Sequence, residues 1–315
     1  MWDFIKKATP DAFSIKRELH SSLAGMEDPR PHFPLRASDL LSQTHEFCPR
    51  EHAFLDLGVA KKKGQFIGTA QRMTFNHGKF MEDEIRNKHL RHLAVGHWVC
   101  SVCSKKHPTF GPVPMVKCSG CGYSNRWRYE EPRFEDPYTS VSGGLDMLAK
   151  TKTTKLKILE VKTIAPEKFK ELVAPLSEHR SRTTLYMSLA EKSAVEHSER
   201  VDTKSAIILY VTKSFGFKDD TLKALGVKDS GFSPFKEFTI KRDDSILSTP
   251  LARARVLKVW REDQKGMPCG ICSNGLTKRA QNCSAISSCF SGKYQSTLTW
   301  PELGKPKHPG KTVVE

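Results

Sequence analysis

The sequence lacks a long apolar run, and this absence is the first feature that narrows its function. No stretch of the 315 residues approaches the roughly 18 apolar residues that a membrane-spanning helix needs. The first residues, MWDFIKKATPDAF, mix acidic with apolar side chains and therefore lack the apolar core of a secretory signal peptide. We expect a soluble protein with no membrane partner, located in the cytoplasm, or in the host cytoplasm if its source is viral.

Acidic residues are scarce relative to basic ones. The chain has 35 Asp and Glu against 51 Lys and Arg, which gives a formal net charge of +16 and a pI near 9.4. Such a surplus attracts polyanions, because neutralising phosphates releases their counterions. Charge alone suits either a nucleic acid or an anionic membrane, and the lack of apolar runs favours the nucleic acid.

The nine cysteines are grouped rather than scattered. Cys100-x₂-Cys103 and Cys118-x₂-Cys121 are separated by fourteen residues, and paired x₂ spacings in a cytosolic chain indicate a metal site instead of disulfides. Gly120 permits the tight turn that such a pair needs. We predict a zinc ribbon over residues 97–130, with these four thiolates holding a structural Zn²⁺ in a tetrahedron. The basic residues of the ribbon make it a plausible DNA contact.

Two carboxylates and a lysine fall within residues 141–164. This region predicts two strands, 141–148 and 155–164, joined by a polar turn. The period of two places Glu160 and Lys162 on one face of the second strand, and Asp146 lies one hairpin away. Carboxylates that bind Mg²⁺ or Mn²⁺ and a lysine that orients water are what metal-dependent phosphodiester hydrolysis requires. An ordinary salt bridge between Glu160 and Lys162 is the alternative.

The sequence GGLD followed by ILEVK resembles the metal-binding core of the PD-(D/E)XK nuclease superfamily, in its RecB-like branch. The resemblance implies an α/β fold in which a mixed central sheet is flanked by helices. It also implies that Asp146, Glu160 and the carbonyl of Val161 are metal ligands, and that Lys162 is the catalytic lysine.

Two further motifs match the family in part. Gly78 is followed by Glu82 where the family has a histidine, and a glutamate can hold the same cation, as in the phage-type exonucleases of the superfamily. Glu84 is the second candidate after Glu82, and a solvated helix face is the alternative for both. In the helical motif whose residues contact DNA, His179 and Tyr186 fit the family pattern. Arg182 stands where the family has glutamine, and an arginine there suits either a phosphate contact or a surface charge.

The remaining cysteines, with Cys48 inside a Cys-Pro-Arg triplet, resemble those of the iron–sulfur RecB-like nucleases, which include the AddB-type and CRISPR adaptation nucleases. The resemblance implies a [4Fe–4S] cluster that joins the N- and C-terminal regions. Its ligands would be Cys48, Cys272, Cys283 and Cys289, with Cys269 as the alternative to Cys272. A second zinc site built from the four C-terminal cysteines, with Cys48 in the core, is the competing interpretation.

These motifs divide the chain into five regions. They are an N-terminal helical region (1–96), the ribbon insert (97–130), the nuclease core (131–262), the iron–sulfur segment (263–291) and a basic tail (292–315). Within them we predict helices over 38–58, 65–92, 178–191 and from Thr249 onward, and further strands over 206–211 and, at a sheet edge, 235–242. On the last helix we expect Arg253 to face outward.

The function that these patterns favour is a metal-dependent DNA nuclease, most simply an exonuclease of DNA repair, recombination or end processing. Its substrate would be single-stranded DNA or duplex ends, and its protein partners would be other recombination or replication proteins. The alternative is a non-catalytic zinc-ribbon and iron–sulfur protein that binds nucleic acid. An electron carrier would need neither the carboxylates nor the basic surplus.

Overall fold

A computed structural model describes residues 15–27, 34–42, 45–61, 65–195, 197–213 and 233–294. These residues form a mixed α/β fold. The helices are α1 (Ile15–Leu23), α2 (Ala37–Leu40), α3 (Pro49–Asp56), α4 (Thr69–Glu84), α5 (Pro166–Glu171), α6 (Ser177–Lys192), α7 (Ser248–Asp263), α8 (Lys278–Gln281) and α9 (Ile286–Cys289). A π-helical segment, Ile85–His89, extends α4, and the 3₁₀ turns Ser198–Arg200 and Asp244–Ile246 precede β10 and α7.

The strands of the described residues form four sheets. They are β1 (Gly25–Glu27), β2 (Leu35–Arg36), β3 (Gln65–Ile67), β4 (His97–Cys100), β5 (Trp127–Glu130), β6 (Arg133–Asp136), β7 (Val141–Gly144), β8 (Met147–Ala149), β9 (Leu156–Ile164), β10 (Val201–Thr212) and β11 (Phe235–Lys241). The largest sheet has the order β11-β10-β9-β8, the second β2-β7-β6, and the pairs β4-β5 and β1-β3 form ribbons.

The four-stranded sheet forms the centre of the fold. β9 is aliphatic and mostly buried along its length, as expected of a strand covered on both faces. It pairs parallel with β10 and antiparallel with β8, and α5 and α6 make the crossover that parallel strands require. β11 pairs with β10 alone, so the predicted edge strand is confirmed.

The predicted strand 141–148 is wrong as one continuous strand. It breaks into β7 and β8, which belong to different sheets, and Leu145 and Asp146 form the junction. The N–H of Leu145 donates to the carbonyl of Pro132, 2.9 Å away, instead of joining the β8–β9 ladder. Asp146 therefore lies where the chain passes from one sheet to the other, free of the constraint of a regular strand.

The helix predicted over 38–58 is also wrong, because two short helices, α2 and α3, occupy this range. Pro49 causes the interruption: proline holds the preceding residue extended and is tolerated only in the first turn of a helix. Cys48 has φ −126° and ψ 114°, and Pro49 begins α3. The predicted helix 65–92 likewise begins with three residues of strand β3.

Buried arginines join the region around α3 to the C-terminal third. Arg50 is 1% exposed, and its guanidinium donates to the carbonyls of Pro268 and Tyr294 at 3.2 and 2.6 Å. Arg253 of α7, predicted to face outward, is instead buried and pairs with Glu46 at 2.5 Å. The region around α3 and the C-terminal third of the chain are therefore held together by charge pairs and hydrogen bonds.

Two further expectations concern membrane-spanning helices and the C-terminal basic tail. Within the described residues, no helix combines the length and the apolarity that crossing a bilayer takes. The predicted basic tail lies outside the described residues from position 295 onward.

Candidate active site and metal centres

Asp146 and strand β9 meet at one point of the central sheet. The hairpin pairs Met147 with Leu159, so Asp146, one residue earlier, lies beside the middle of β9. The N–H of Val161 donates to Asp146 Oδ2 at 2.8 Å. This hydrogen bond fixes the carboxylate against the strand segment that carries Glu160 and Lys162.

The ammonium group of Lys162 lies among the oxygen atoms of the predicted metal ligands. Its Nζ is 2.7 Å from Glu160 Oε1, 3.0 Å from the carbonyl oxygen of Val161 and 3.4 Å from Asp146 Oδ2. Three oxygen donors therefore converge on a single positive charge. Hard divalent cations bind such sets of oxygen ligands. The ammonium of Lys162 occupies the point on which the three oxygens converge.

The electrostatics of this cluster suit an additional cation. Burial, and then the charge of Asp146, raise the pKa of Glu160 to about 7. Burial would lower the pKa of Lys162, but the carboxylates of Glu160 and Asp146 raise it above its usual value. Glu160 is 2% exposed, and its Oε2 has no hydrogen-bond partner in the described part of the chain. An unsatisfied buried carboxylate oxygen is costly, and a bound metal ion would satisfy it.

Glu82 approaches the same cluster because α4 packs unusually close to β9. A Cβ atom on Gly78 would lie only 2.8 Å from Thr163 Oγ1, so only glycine permits this distance. Glu82 follows one helical turn later on the same face. Burial raises the pKa of Glu82 to about 7, and the nearby charge of Lys162 opposes that shift. Glu84 instead pairs with Lys88 at 2.7 Å.

Sequence reasoning missed two residues of this site. Arg86, in the π-helical segment, donates to the carbonyl of Asp146 at 3.2 Å and to Glu131 at 2.6 Å, and π-helical turns are common at functional sites. Tyr210 lies beside Lys162 in the β9–β10 register. The pattern AIILYV predicted a buried strand and gave no signal for the tyrosine hydroxyl.

The predicted DNA-contacting residues of α6 differ in their surroundings. The N–H of Leu176 donates to the hydroxyl of Tyr210 at 3.0 Å, and that hydroxyl is 2.8 Å from His179 Nδ1. Since the hydroxyl hydrogen is free to donate to Nδ1, the imidazole fits its neutral form. Burial, together with the charges of Lys162 and Arg182, lowers the pKa of His179 to about 4.

Arg182 lies near the candidate site, whereas Tyr186 packs into the hydrophobic core. Arg182 pairs with Glu178 at 2.5 Å, and its charge opposes the rise that burial causes in the pKa of Glu160. Tyr186 is 7% exposed and packs against Gly143, where a Cβ atom would lie 2.7 Å from the tyrosine ring. The tyrosine therefore fills the space between α6 and β7.

The four cysteines of the ribbon come together as predicted. β4 and β5 bring Cys100 to 3.5 Å from Cys121, and Cys103 to 3.5 Å from Cys118, measured between sulfur atoms. All four sulfurs lie within 4.8 Å of one another, and a tetrahedral zinc site needs sulfurs about 3.8 Å apart for Zn–S bonds of about 2.3 Å. The N–H groups of Gly120 and residue 121 lower the pKa of Cys118 to about 6, which favours the thiolate. This group can hold a metal.

The other predicted cluster ligands line a separate cavity between α3 and the C-terminal segment. Cys48, Cys272, Cys283 and Cys289 all border it, together with Glu51 and Arg279. Burial raises the pKa of Cys48 to about 11 and that of Cys283 to about 12. Within the described residues, no three of these sulfurs share the 4.8 Å spacing that the ribbon shows.

Cys269 lies beside this cavity without lining it. It is 1% exposed and packs with Cys48 and Ile271. Cys272, which follows Ile271 in the sequence, does border the cavity. The two candidates for the fourth ligand therefore differ in whether they line the cavity.

No family model and no curated protein matches the chain. Among solved structures, an alkaline exonuclease (LHK-Exo) from Laribacter hongkongensis has 12% identity and a TM-score of 0.39, over 79% of this chain and 93% of that chain. The same exonuclease in complex with dAMP gives the same values. SSO0001 has 14% identity and a TM-score of 0.30, over 78% of this chain and 82% of that chain. At these TM-scores the likeness assigns no role to any residue.

Proposed function

We propose that the protein is a metal-dependent deoxyribonuclease of the PD-(D/E)XK type, acting as an exonuclease in DNA repair, recombination or end processing. One observation carries the proposal: the oxygens of Asp146, Glu160 and Val161 converge on the ammonium of Lys162. A simple salt bridge would need one carboxylate. The second carboxylate, that of Asp146, and the unsatisfied Oε2 of the buried Glu160 support a site built for a divalent cation. The net charge of +16 supports DNA as the substrate.

Each residue has a distinct role in this proposal. Asp146, Glu160 and the Val161 carbonyl, with Glu82 at the edge, would hold Mg²⁺ or Mn²⁺. The bound cation would supply a water of lowered pKa and neutralise charge on the scissile phosphate. In the metal-free protein the carboxylates of Glu160 and Asp146 raise the pKa of Lys162. Its ammonium would act as a hydrogen-bond donor that orients the water or the phosphate.

The residues of α6 would position the DNA strand. A neutral His179 oriented by Tyr210 can donate one hydrogen bond from Nε2. Arg182 lies near Glu160 and can contact a phosphate. Tyr186 is buried, so its proposed part is to set the position of α6 through its packing on Gly143.

The cysteine groups would hold structural metals. We propose zinc in the ribbon and a [4Fe–4S] cluster bound by Cys48, Cys272, Cys283 and Cys289. The cluster is supported by the cavity that these four cysteines share and by the spacing of their sulfurs, which is wider than in the ribbon. Thiolates on a four-iron cluster are farther apart than those on one zinc ion. Anaerobically purified protein should contain one zinc, four irons and acid-labile sulfide. Two zincs without iron would contradict the cluster.

Cleavage of labelled DNA tests the enzymatic proposal directly. With Mn²⁺, the protein should degrade linear single- or double-stranded DNA and spare a closed circle, and chelation should stop it. Asp146→Asn and Lys162→Met should reduce cleavage to background while DNA binding remains. Lys157→Met is the matched control, because Lys157 lies on the same strand and pairs with Asp202 outside the site.

Two outcomes would contradict these assignments. Wild-type cleavage by either active-site variant would show that the corresponding residue has no catalytic role. No cleavage by the metal-loaded protein, with DNA binding intact, would favour a binding protein.

A further inference from the structure

The carboxylate cluster opens into a cleft much larger than a metal ion requires. The cleft has a volume of about 530 Å³ and opens to solvent. One wall is a face of α4 that carries Phe75, Lys79 and Glu82, and Asp146 and Lys213 lie among the remaining lining residues. A volume of this size suits a ligand as large as a nucleotide.

Phe75 is unusual among the residues of this cleft. It is an aromatic side chain that remains 52% exposed. It precedes Glu82 by seven residues, which is two helical turns, or about 10 Å along the axis. At about 3.4 Å per stacked nucleotide, Phe75 lies within about three nucleotides of the carboxylates. A ring exposed at that distance has the geometry of a stacking platform for a base.

The charges around Phe75 favour a phosphate-bearing ligand. Asp83 and Glu131, the acids of the cleft outside the proposed metal site, are both paired with Arg86. Lys79 follows Phe75 by one turn on the same face. Lys213 approaches from β10, with its Nζ 3.9 Å from where a Cβ on Gly78 would lie. Two ammonium groups therefore flank the route from the carboxylates to the aromatic ring.

We propose that this part of the cleft is a nucleotide subsite, in which Phe75 stacks on a base and Lys79 and Lys213 contact the neighbouring phosphates of a single strand. The inference rests on the proposed nuclease function, because it takes the polynucleotide as the ligand. It adds that the strand leaves the carboxylates along α4, and that the stacked base must be unpaired. The subsite therefore favours a single-stranded segment next to the cleaved bond.

Binding of a fluorescent single-stranded oligonucleotide to the full-length Asp146→Asn protein tests the subsite. Stacking of one base on an aromatic residue corresponds to about five- to 140-fold in Kd, so Phe75→Ala should weaken binding by at least fivefold and Phe75→Trp should restore it. Phe80→Ala is the matched control: Phe80 lies on the same helix and is 63% exposed, but it does not line the cleft. Lys213→Gln should reduce the salt slope of binding by about one.

Two further readouts separate stacking from general damage. A 2-aminopurine base, moved along the oligonucleotide one position at a time, should be quenched at a single position by wild type and not by Phe75→Ala. In the active protein, Phe75→Ala should raise KM more than it lowers kcat, as expected for loss of uniform binding. Circular dichroism and thermal unfolding check that each variant is folded.

The outcomes distinguish the subsite from the nuclease proposal. If Phe75→Ala binds as tightly as Phe80→Ala, or if no position is quenched, the subsite is wrong whether or not DNA is cleaved. If Phe75→Ala weakens binding but no variant or metal affects cleavage, the nuclease proposal fails while the nucleotide subsite stands.

Discussion

Gly78→Ala is the perturbation whose consequences can be followed furthest through this structure. In a helix free of neighbours, the substitution stabilises by about 0.5–1 kcal/mol, because glycine loses more conformational entropy on folding. Here the new Cβ would lie 2.8 Å from Thr163 Oγ1. Overpacking a close contact costs about 1–3 kcal/mol, and threonine is stiff about χ1. The steric cost exceeds the gain, so we expect a net loss of about 1 kcal/mol.

The effect on activity should be larger than the effect on stability. A net loss of about 1 kcal/mol lowers the melting temperature by only about 1–2 °C in a chain of this size. Relieving the contact moves α4 away from β9 and carries Glu82 with it, one turn further along. Because a misplacement of about 1 Å can cost about 100-fold in rate, we expect cleavage to fall by roughly 10- to 100-fold.

Single-turnover cleavage and thermal unfolding test this expectation on four variants: Gly78→Ala, Gly68→Ala, Thr163→Ala and the Gly78→Ala/Thr163→Ala double variant. Gly68→Ala serves as control, because a Cβ there meets nothing within 4 Å at the start of the same helix. Thr163→Ala removes the hydroxyl and should restore activity when combined with Gly78→Ala, which gives a double-mutant cycle for the contact. Equal activity of Gly78→Ala and Gly68→Ala, or no recovery in the double variant, would refute the reasoning.

Four further predictions follow from the carboxylates and the cysteines. In the presence of a chelator, Glu82→Gln should be more stable than wild type at pH 8 but not at pH 4. Burial raises the folded pKa of Glu82 from 4.5 to about 7, so the wild type loses stability as pH rises between those values. Mn²⁺ should raise the melting temperature of wild type more than that of Glu82→Gln. Cys272→Ser should lose iron, whereas Cys269→Ser should retain it, as measured by metal analysis. Cys118→Ser should lose zinc and make the ribbon sensitive to protease, and retention of the zinc would contradict its assignment.

The sequence alone predicted the features whose signal lies within a short segment. The aliphatic alternation of residues 156–164 indicated a buried strand, and the structure has β9 over Leu156–Ile164. The Cys-x₂-Cys pairs indicated the four-sulfur group, because two turns of fixed geometry suffice to present it. Edge strand β11 was predicted for the same reason, because its alternation of side chains with a period of two can be recognised without knowing the partner strand.

Wrong and missed predictions arose where distant groups decide the local structure. The strand through Asp146 breaks because Pro132 offers a hydrogen bond that a regular ladder would not. Arg253 was predicted to face outward, because nothing near it in the sequence indicates its ion pair with Glu46, 207 positions away. Arg86 and Tyr210 join the candidate site through contacts across α4, β8, α6 and β10, which no local period encodes.

The amino-acid sequence by itself indicated the candidate site residues: the acids, the lysine and the thiols, at spacings that follow from the repeat of a strand or a turn. The tertiary structure decided what surrounds each of them. Burial, a close helix–strand approach at Gly78 and the convergence of three oxygens on Lys162 are properties of packed surfaces. They depend on segments that lie far apart in the chain and meet only when the core forms.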